Sequence, residues 1–139
     1  MGLLNRQDAQ EEKMPSRKIL IVDDEAFIRT LLTQTLEDLE EQDVELLTAG
    51  DGEEALEVAL NEVPDLIFLD VMMPKKSGYE VCAQIKAQHP ATYVILLTAK
   101  GQAVDKEQGG RVGADEYITK PFDPDFIMER AQDILHLEG

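Results

Sequence analysis

Short apolar runs alternate with helical patterns along most of this chain, and this alternation constrains the fold more than any other feature. The apolar runs predict strands near residues 18–22, 44–49, 65–69, 93–98 and 116–119. The segments that follow them predict helices near residues 25–40, 52–61, 78–88, 103–112 and 123–137. Alternating strands and helices build a parallel sheet through right-handed crossovers. We therefore expect an α/β fold with five parallel strands and helices on both faces.

The size and charge of the chain limit what it can do. Its 139 residues fit one domain of ordinary size, and two full domains would not fit. The formal net charge of −16 argues against direct binding to nucleic acid or to an anionic membrane, because phosphate surfaces attract cationic proteins. We therefore expect protein partners for this domain, with no direct nucleic-acid or membrane contact.

The cysteine and histidine content excludes two kinds of site. A single cysteine, Cys82, rules out an internal disulfide, and His89 and His136 lack the clustered spacing of a zinc site. No segment approaches the ~20 apolar residues of a membrane span, and the first residues do not follow the pattern of a secretion signal. These features together predict a cytoplasmic domain.

The composition changes just before the first predicted strand. Residues 1–16 are mostly polar and mixed in charge, and Pro15 and Ser16 come directly before the apolar run. We interpret residues 1–16 as a flexible N-terminal leader and residues 17–137 as the folded domain. Whether that leader is native, and whether this domain stands alone or comes from a longer protein, are questions that the sequence leaves open.

Three aspartates follow two of the predicted strands. Asp23 and Asp24 come directly after the first strand, and Asp70 comes directly after the third. Parallel strands bring their carboxyl ends to one rim of the sheet, which is where open α/β folds bind their ligands. Two carboxylates ~4 Å apart repel by roughly 4 kcal/mol at an effective dielectric constant of about 20. A hard divalent cation such as Mg²⁺ would relieve that repulsion, and Lys120, after the last strand, supplies a further positive charge.

Thr98, at the end of the fourth strand, completes an ordered set of acid, acid, alcohol and cation at four strand ends. This set resembles the receiver domain of two-component response regulators, the CheY-like superfamily, over about residues 17–137. The local sequences that carry the resemblance are Val22-Asp23-Asp24-Glu25, Asp70-Val71-Met72-Met73-Pro74, Ser77-Gly78, Leu97-Thr98-Ala99, Gly113-Ala114-Asp115 and Lys120-Pro121-Phe122. The fold that it implies is flavodoxin-like and doubly wound, with strands in the order 2-1-3-4-5.

The resemblance implies a phosphoacceptor. Asp70 would be the nucleophile that takes a phosphoryl group from a phosphohistidine of a partner kinase, forming an aspartyl phosphate. Asp23, Asp24, Asp70 and the backbone carbonyl of Met72 would hold Mg²⁺ as the cofactor. Phosphoryl transfer depends mainly on positioning and charge neutralisation, so a site rich in fixed charges suits it.

Two further residues are assigned roles by the same resemblance. Thr98 and Lys120 would contact oxygens of the transferred phosphoryl group, and the Lys120–Pro121 peptide bond would be cis. Thr98 would also act with Tyr117 as a switch that changes the face formed by the predicted helix 103–112, the fifth strand and the last helix. Gly109 and Gly110 interrupt that predicted helix, which makes it the least stable of the five.

Each of these residues also has an ordinary structural interpretation. A lone strand-end aspartate is more often a helix N-cap than a nucleophile, a lone Thr98 a turn residue, and a lone Lys120 a solvated side chain. Those interpretations give no reason for all of them to fall at one rim. A pseudo-receiver that only binds proteins is the alternative, although such domains usually lose an acid or the lysine. A metal-dependent phosphatase is a third hypothesis, disfavoured because Met72 occupies the position where such enzymes carry a second aspartate.

The resemblance also implies partners and an enzymatic class. The partners would be a sensor histidine kinase or histidine phosphotransfer protein and a downstream effector protein or domain, and a phosphorylation-dependent homodimer is left open. The domain would catalyse only its own phosphorylation and dephosphorylation and would not be an enzyme in the usual sense. The sequence does not identify the cognate kinase, the pathway or the output.

Overall fold

Five parallel strands form the sheet at the centre of this protein. A computed structural model describes residues 17–99 and 111–138. Its strands are β1 (Arg17–Val22), β2 (Val44–Ala49), β3 (Leu66–Asp70), β4 (Tyr93–Ala99) and β5 (Glu116–Lys120). They lie in the order β2-β1-β3-β4-β5, and every neighbouring pair is parallel. The predicted fold class and strand order are confirmed.

Four helices within the described residues connect or follow these strands. They are α1 (Ala26–Leu36), α2 (Gly52–Glu62), α3 (Gly78–Gln88) and α4 (Pro124–Leu135). A short 3-10 helix, Glu37–Gln42, follows α1 directly. The predicted leader, residues 1–16, and most of the predicted helix 103–112, including Gly109 and Gly110, lie outside the described residues.

Two predicted helix ends are wrong. The helix predicted for residues 25–40 ends as an α-helix at Leu36 and tightens into the 3-10 helix that follows. That continuation carries a dense run of acids, which the negative end of an α-helix dipole disfavours. The helix predicted to reach residue 137 ends at Leu135, because His136 adopts a left-handed conformation with φ of 58°.

Two apolar layers cover the two faces of the sheet. Alternate residues of β1 contribute to both, since Ile19 and Ile21 belong to one buried cluster and Leu20 and Val22 to the other. The first cluster also takes residues from α1 and α4, and the second takes residues from α2 and α3. This two-sided burial explains why the three central strands, β1, β3 and β4, have largely apolar sequences.

The strand register brings the carboxyl ends of the strands to one rim. Asp70, the last residue of β3, pairs with Leu97 of β4, so Thr98 comes one residue later along its strand. Lys120, the last residue of β5, pairs with Ala99. Asp23 directly follows β1 in the same direction. The four strand ends that the sequence singled out therefore share one rim of the sheet.

Two further predictions from the sequence can be compared with this structure. The Lys120–Pro121 peptide bond is cis, as expected. None of the helices in the described part of the chain combines the length and the apolar character that crossing a bilayer requires.

The end of α2 contains a strained residue. Val63 follows Glu62 with φ of 48° and ψ of 66°, in the left-handed region, and its backbone N–H donates to the Ala59 carbonyl. Left-handed backbone costs roughly 1–2 kcal/mol for a residue with a β-carbon, and β-branched residues adopt it least readily. Val63 is 47% exposed as a residue, so little packing offsets that cost.

We expect Val63→Asn to raise the free energy of unfolding by about 1 kcal/mol, because asparagine tolerates left-handed backbone better than valine does. Urea denaturation of the two proteins measures the change. Val63→Ala is the control, since it removes the branched side chain but keeps a β-carbon in the left-handed conformation. If Val63→Ala stabilised the protein as much as Val63→Asn, the side chain rather than the backbone would be the source of the strain.

Candidate functional site

Three carboxylates meet at the carboxyl rim of the sheet. Asp23, Asp24 and Asp70 each offer one oxygen, and these oxygens lie within 4.8 Å of one another. Asp23 is fully buried, Asp70 is buried and Asp24 is exposed. A cluster of carboxylate oxygens with one exposed member fits a hard divalent cation that keeps part of its water shell. The predicted convergence of the three acids is therefore present, and the cluster could hold a metal ion.

Asp23 is held by hydrogen bonds from three other residues. Its Oδ1 accepts a hydrogen bond of 2.9 Å from the backbone N–H of Glu25. Its Oδ2 accepts one of 2.8 Å from Nζ of Lys120. Its backbone carbonyl accepts one of 2.7 Å from Nη1 of Arg29, which lies in the second turn of α1. These bonds fix both the side chain and the main chain of a fully buried acid.

Asp70 lies between Asp23 and the loop that follows β3. Its Oδ1 is 3.6 Å from Nζ of Lys120 and accepts a long hydrogen bond of 3.3 Å from the backbone N–H of Met72. Gly78 packs directly under this residue, since a β-carbon there would collide with the Asp70 carbonyl oxygen. The backbone N–H of Gly78 donates to the Val71 carbonyl at 2.8 Å, which closes the loop. The loop therefore keeps Met72 close to Asp70.

The charges of the rim are unequal, and the pKa values reflect this. Burial, and then the negative charge of Asp23, raises the pKa of Asp70 from 3.8 to about 6, although Lys120 opposes the rise. Burial alone would lower the pKa of Lys120, but its hydrogen bond to Asp23 and the charge of Asp70 raise it above its ordinary value. One ammonium group does not compensate three carboxylates, so the rim can accept further positive charge.

Thr98 brings an unsatisfied hydroxyl to the same rim. The residue is 2% exposed, and within the described part of the chain its Oγ1 has no hydrogen-bond partner. A buried hydroxyl without a partner costs about 1–3 kcal/mol, and native proteins retain such groups mainly where they serve a function. The side chain is therefore available to donate to an oxygen of a ligand at the rim.

Tyr117, the other predicted switch residue, lies on β5 beside Leu96 of β4. It is half-buried and packs against the apolar cluster that α2 and α3 cover. Thr98 occupies the adjoining part of β4, two residues after Leu96. The two residues are thus close along neighbouring strands, and their role as a switch stays a prediction.

Arg29 is a residue of this site that the sequence interpretation missed. It stands among the apolar positions of α1, and its contact with Asp23 is to the main chain, which no charge pattern reveals. The available signal was the presence of an arginine about one helical turn after a pair of strand-end acids.

The chain is similar to known proteins over most of its length. A profile described as response regulator receiver domain matches residues 19–132. The alkaline phosphatase synthesis transcriptional regulatory protein PhoP of Bacillus subtilis (strain 168) is 48% identical over 120 residues, which cover 86% of this chain and 49% of that protein. The probable transcriptional regulator ycf27 of Pyropia yezoensis is 44% identical over 118 residues, covering 85% and 47%. The chain thus spans about half the length of these curated relatives.

Solved structures show the same similarity. The chemotaxis protein CheY4 of Vibrio cholerae is 33% identical with a TM-score of 0.74, and the match covers 85% of this chain and 98% of that one. The REC domain of AraT, a response regulator from Geobacillus stearothermophilus, is 32% identical with a TM-score of 0.78, covering 86% and 93%. Both TM-scores show that the fold is shared over most of this chain.

The raised pKa of Asp70 makes the metal-free protein less stable when this carboxyl is charged. Between pH 3.8 and about 6 the folded protein binds more protons than the unfolded chain, so stability falls as the pH rises through that window. We expect Asp70→Asn to increase the free energy of unfolding by about 2 kcal/mol at about pH 7, and the gain to shrink towards zero near pH 4. Urea denaturation in the presence of a chelator measures both values.

The control for this comparison is Asp133→Asn, which neutralises an exposed carboxylate on α4. That variant should show no comparable gain at either pH. An Asp70→Asn protein that is less stable than the wild type at about pH 7 would mean that Lys120 compensates the Asp70 charge fully.

Proposed function

Since this chain belongs to the response regulator receiver domain family, we propose that Asp70 accepts a phosphoryl group from a phosphohistidine of a partner kinase. The observation that carries this proposal is the cluster at the rim, where Asp23, Asp24 and Asp70 offer oxygens within 4.8 Å of one another. Lys120 adds an ammonium group 2.8 Å from Asp23 and 3.6 Å from Asp70. A carboxylate that attacks an anionic phosphoryl group needs this concentration of opposing charge.

The proposed reaction exchanges one phosphorus bond for another. A carboxylate oxygen of Asp70 attacks the phosphorus atom, a P–O bond forms, and the P–N bond to the histidine breaks. The imidazole nitrogen keeps the electron pair of that bond and takes up a proton from water. With a pKa of about 6 in the metal-free protein, Asp70 is mainly ionised at neutral pH and can act as the nucleophile.

The same acids would hold the metal ion. We assign Mg²⁺ to Asp23, Asp24, Asp70 and the backbone carbonyl of Met72, and the carboxylate cluster supports that assignment. When bound, Mg²⁺ neutralises negative charge on the phosphoryl oxygens. Asp24 is exposed and adjoins the buried Asp23, so the metal-binding face is open to solvent and to a partner.

Two side chains would then hold the phosphoryl group. The side chain of Lys120 is 15% exposed, and its ammonium group is 3.6 Å from Asp70. It would contact a phosphoryl oxygen attached to Asp70 while staying at the rim. The Thr98 hydroxyl, which is buried without a partner among the described residues, would donate to another oxygen. The new bond would satisfy a hydroxyl that has no partner among residues 17–99 and 111–138, and this would favour a change of state on phosphorylation.

The output would pass through the last strand and helix. Movement of Thr98 towards the phosphoryl group leaves space that Tyr117 can enter, and this would alter the face that includes β5 and α4. The change is best described as a shift between two conformations that both exist beforehand. The resemblance assigns the predicted helix 103–112 to the same face, but that segment lies mostly outside the described residues.

The partners are proposed on the same basis. The curated relatives are named as transcriptional regulators, and this chain matches about half of each of them. We propose that a sensor kinase or phosphotransfer protein donates the phosphoryl group and that an effector protein or domain receives the signal. The domain itself would catalyse only its own phosphorylation and dephosphorylation.

We expect Asp70→Asn to abolish labelling by a small phosphodonor such as acetyl phosphate, because an amide cannot act as the nucleophile. Incorporation of labelled phosphoryl groups in the presence of Mg²⁺ measures this. The label on the wild-type protein should be released by hydroxylamine, as from an acyl phosphate, and Asp133→Asn should be labelled normally. Equal and hydroxylamine-stable labelling of Asp70→Asn would place the acceptor at another residue.

The residue two positions after the acceptor should influence the lifetime of the phosphoprotein. Hydrolysis needs a water molecule in line with the phosphorus atom, and the thioether of Met72 offers no hydrogen bond suited to hold one. Met72 is 62% exposed, so a polar side chain fits there without disturbing the core. We expect Met72→Asn to speed dephosphorylation, measured as decay of the labelled protein after the phosphodonor is removed. Met72→Leu, which adds no polar group, should decay at the wild-type rate.

Lys100, two positions after Thr98, is the other residue placed to influence that water molecule, but it lies outside the described residues. An equal or slower decay of Met72→Asn would show that the side chain at this position does not limit hydrolysis.

A further inference from the structure

Arg29 contacts the acid cluster through a main-chain oxygen. Its Nη1 donates a hydrogen bond of 2.7 Å to the backbone carbonyl of Asp23, and its side chain is half-buried. Among residues 17–99 and 111–138 its guanidinium forms no ion pair with a carboxylate, although three carboxylates lie at the same rim. The contact therefore suits a role in holding the main chain more than a role in neutralising charge.

Asp23 depends on that contact because the residue is fully buried. Its backbone N–H donates to the Ala49 carbonyl at 3.3 Å. Its two carboxylate oxygens accept from Glu25 and Lys120. Arg29 satisfies the one remaining polar group, the carbonyl. That carbonyl belongs to the peptide group between Asp23 and Asp24, so its orientation sets the direction in which Asp24 leaves the strand.

The backbone N–H of Glu25 donates to Oδ1 of Asp23 at this turn, but the N-terminus of α1 adds no side-chain cap. The Arg29 guanidinium lies against Gly50. A β-carbon added to Gly50 would be 3.2 Å from Nη1 of Arg29 and 3.6 Å from its Cζ. The backbone N–H of Gly50 donates to Oε1 of Glu54 at 2.8 Å, which holds Gly50 in place. The guanidinium thus fills a narrow space between the Asp23 carbonyl and Gly50.

We propose that Arg29 is a positioning residue that orders the Asp23–Asp24 peptide group and so prepares the acid cluster for Mg²⁺. This inference rests on the proposed function. A positioning role and a simple charge effect predict opposite changes in Mg²⁺ affinity when Arg29 is replaced. A positive charge near a cation site weakens cation binding, so removing the charge alone would strengthen it. Removing a group that orients a metal ligand weakens binding, typically by 10- to 100-fold.

The test is an Mg²⁺ titration of the unphosphorylated protein, followed by calorimetry or by backbone amide resonances. We expect Arg29→Met to weaken Mg²⁺ binding by about tenfold. Arg17→Met is the matched control, because Arg17 also donates to a backbone carbonyl, that of Leu135, from the opposite end of β1. Its Mg²⁺ affinity should equal that of the wild type. Unchanged or tighter binding by Arg29→Met would overturn the proposal.

A second variant perturbs the same contact without changing any charge. Gly50→Ala introduces a β-carbon that must displace Nη1 of Arg29 by a few tenths of an ångström. We expect a loss of Mg²⁺ affinity in the same direction as for Arg29→Met but smaller. A charge effect predicts no change in this variant, so unchanged affinity would contradict the proposal. Backbone amide spectra of both variants would test whether the fold is retained.

Phosphorylation provides a separate measurement. Because Arg29 contacts the main chain of Asp23 and not the Asp70 side chain, the labelling rate of Arg29→Met should return to the wild-type value at saturating Mg²⁺. A rate that stays low at saturating Mg²⁺ would make Arg29 something other than a positioning residue for the metal. A wild-type protein that binds Mg²⁺ but is never labelled would refute the proposed function, while the titration would still decide the role of Arg29. A wild type that does not bind Mg²⁺ would refute both.

Discussion

The ion pair between Lys120 and Asp23 is the interaction on which the rim depends. It joins residues 97 positions apart, at 2.8 Å, and Asp23 has no exposed surface. A buried carboxylate is tolerated only when it is paired and hydrogen-bonded, and Lys120 supplies the pairing. The single ammonium group lies 2.8 Å from Asp23 and 3.6 Å from Asp70, so it compensates the Asp70 charge only in part. Burial together with the Asp23 charge raises the pKa of Asp70 to about 6. The rim is therefore built with a deficit of positive charge.

That deficit connects stability to function. An unoccupied cluster of acids costs free energy, and a ligand that brings positive charge recovers it. Thr98 contributes in the same way, since its buried hydroxyl has no hydrogen-bond partner among the described residues. Uncompensated charges and unpaired buried hydroxyls are expected at functional sites, where their cost in stability is offset by the rest of the core. The continuous apolar packing on both faces of the sheet provides that offset.

Main-chain contacts position the site as much as side chains do. Gly78 leaves room for the Asp70 carbonyl and closes the following loop by donating to Val71. Arg29 holds the Asp23 carbonyl from α1. The amino-acid sequence does not reveal such contacts, because every residue has a main-chain carbonyl. They matter because a displacement of about 1 Å at a reacting group can change a rate a hundredfold.

Local sequence patterns were sufficient for much of the fold. Continuous apolar runs predicted the three central strands, since a strand buried on both faces can contain little else. The edge strands β2 and β5 are only partly buried and contain acids, and their place in the alternation of strands and helices predicted them. The patterns failed where local signals compete, as at the 3-10 helix after Leu36, where acids oppose the α-helix dipole. They also gave no sign that Val63 would end α2 in a left-handed conformation. An exposed valine rarely adopts this backbone conformation, so its sequence preference predicts the opposite of what the structure has.

The sequence by itself determined the alternation of strands and helices and the placing of Asp23, Asp70, Thr98 and Lys120 at strand ends, because these follow from patterns within a few residues. Only the tertiary structure decided the 4.8 Å convergence of the three acids, the raised pKa of Asp70 and the contact of Arg29 with the Asp23 carbonyl. The physical reason is that distances and burial at the rim depend on strand order and register, which join segments far apart in the chain.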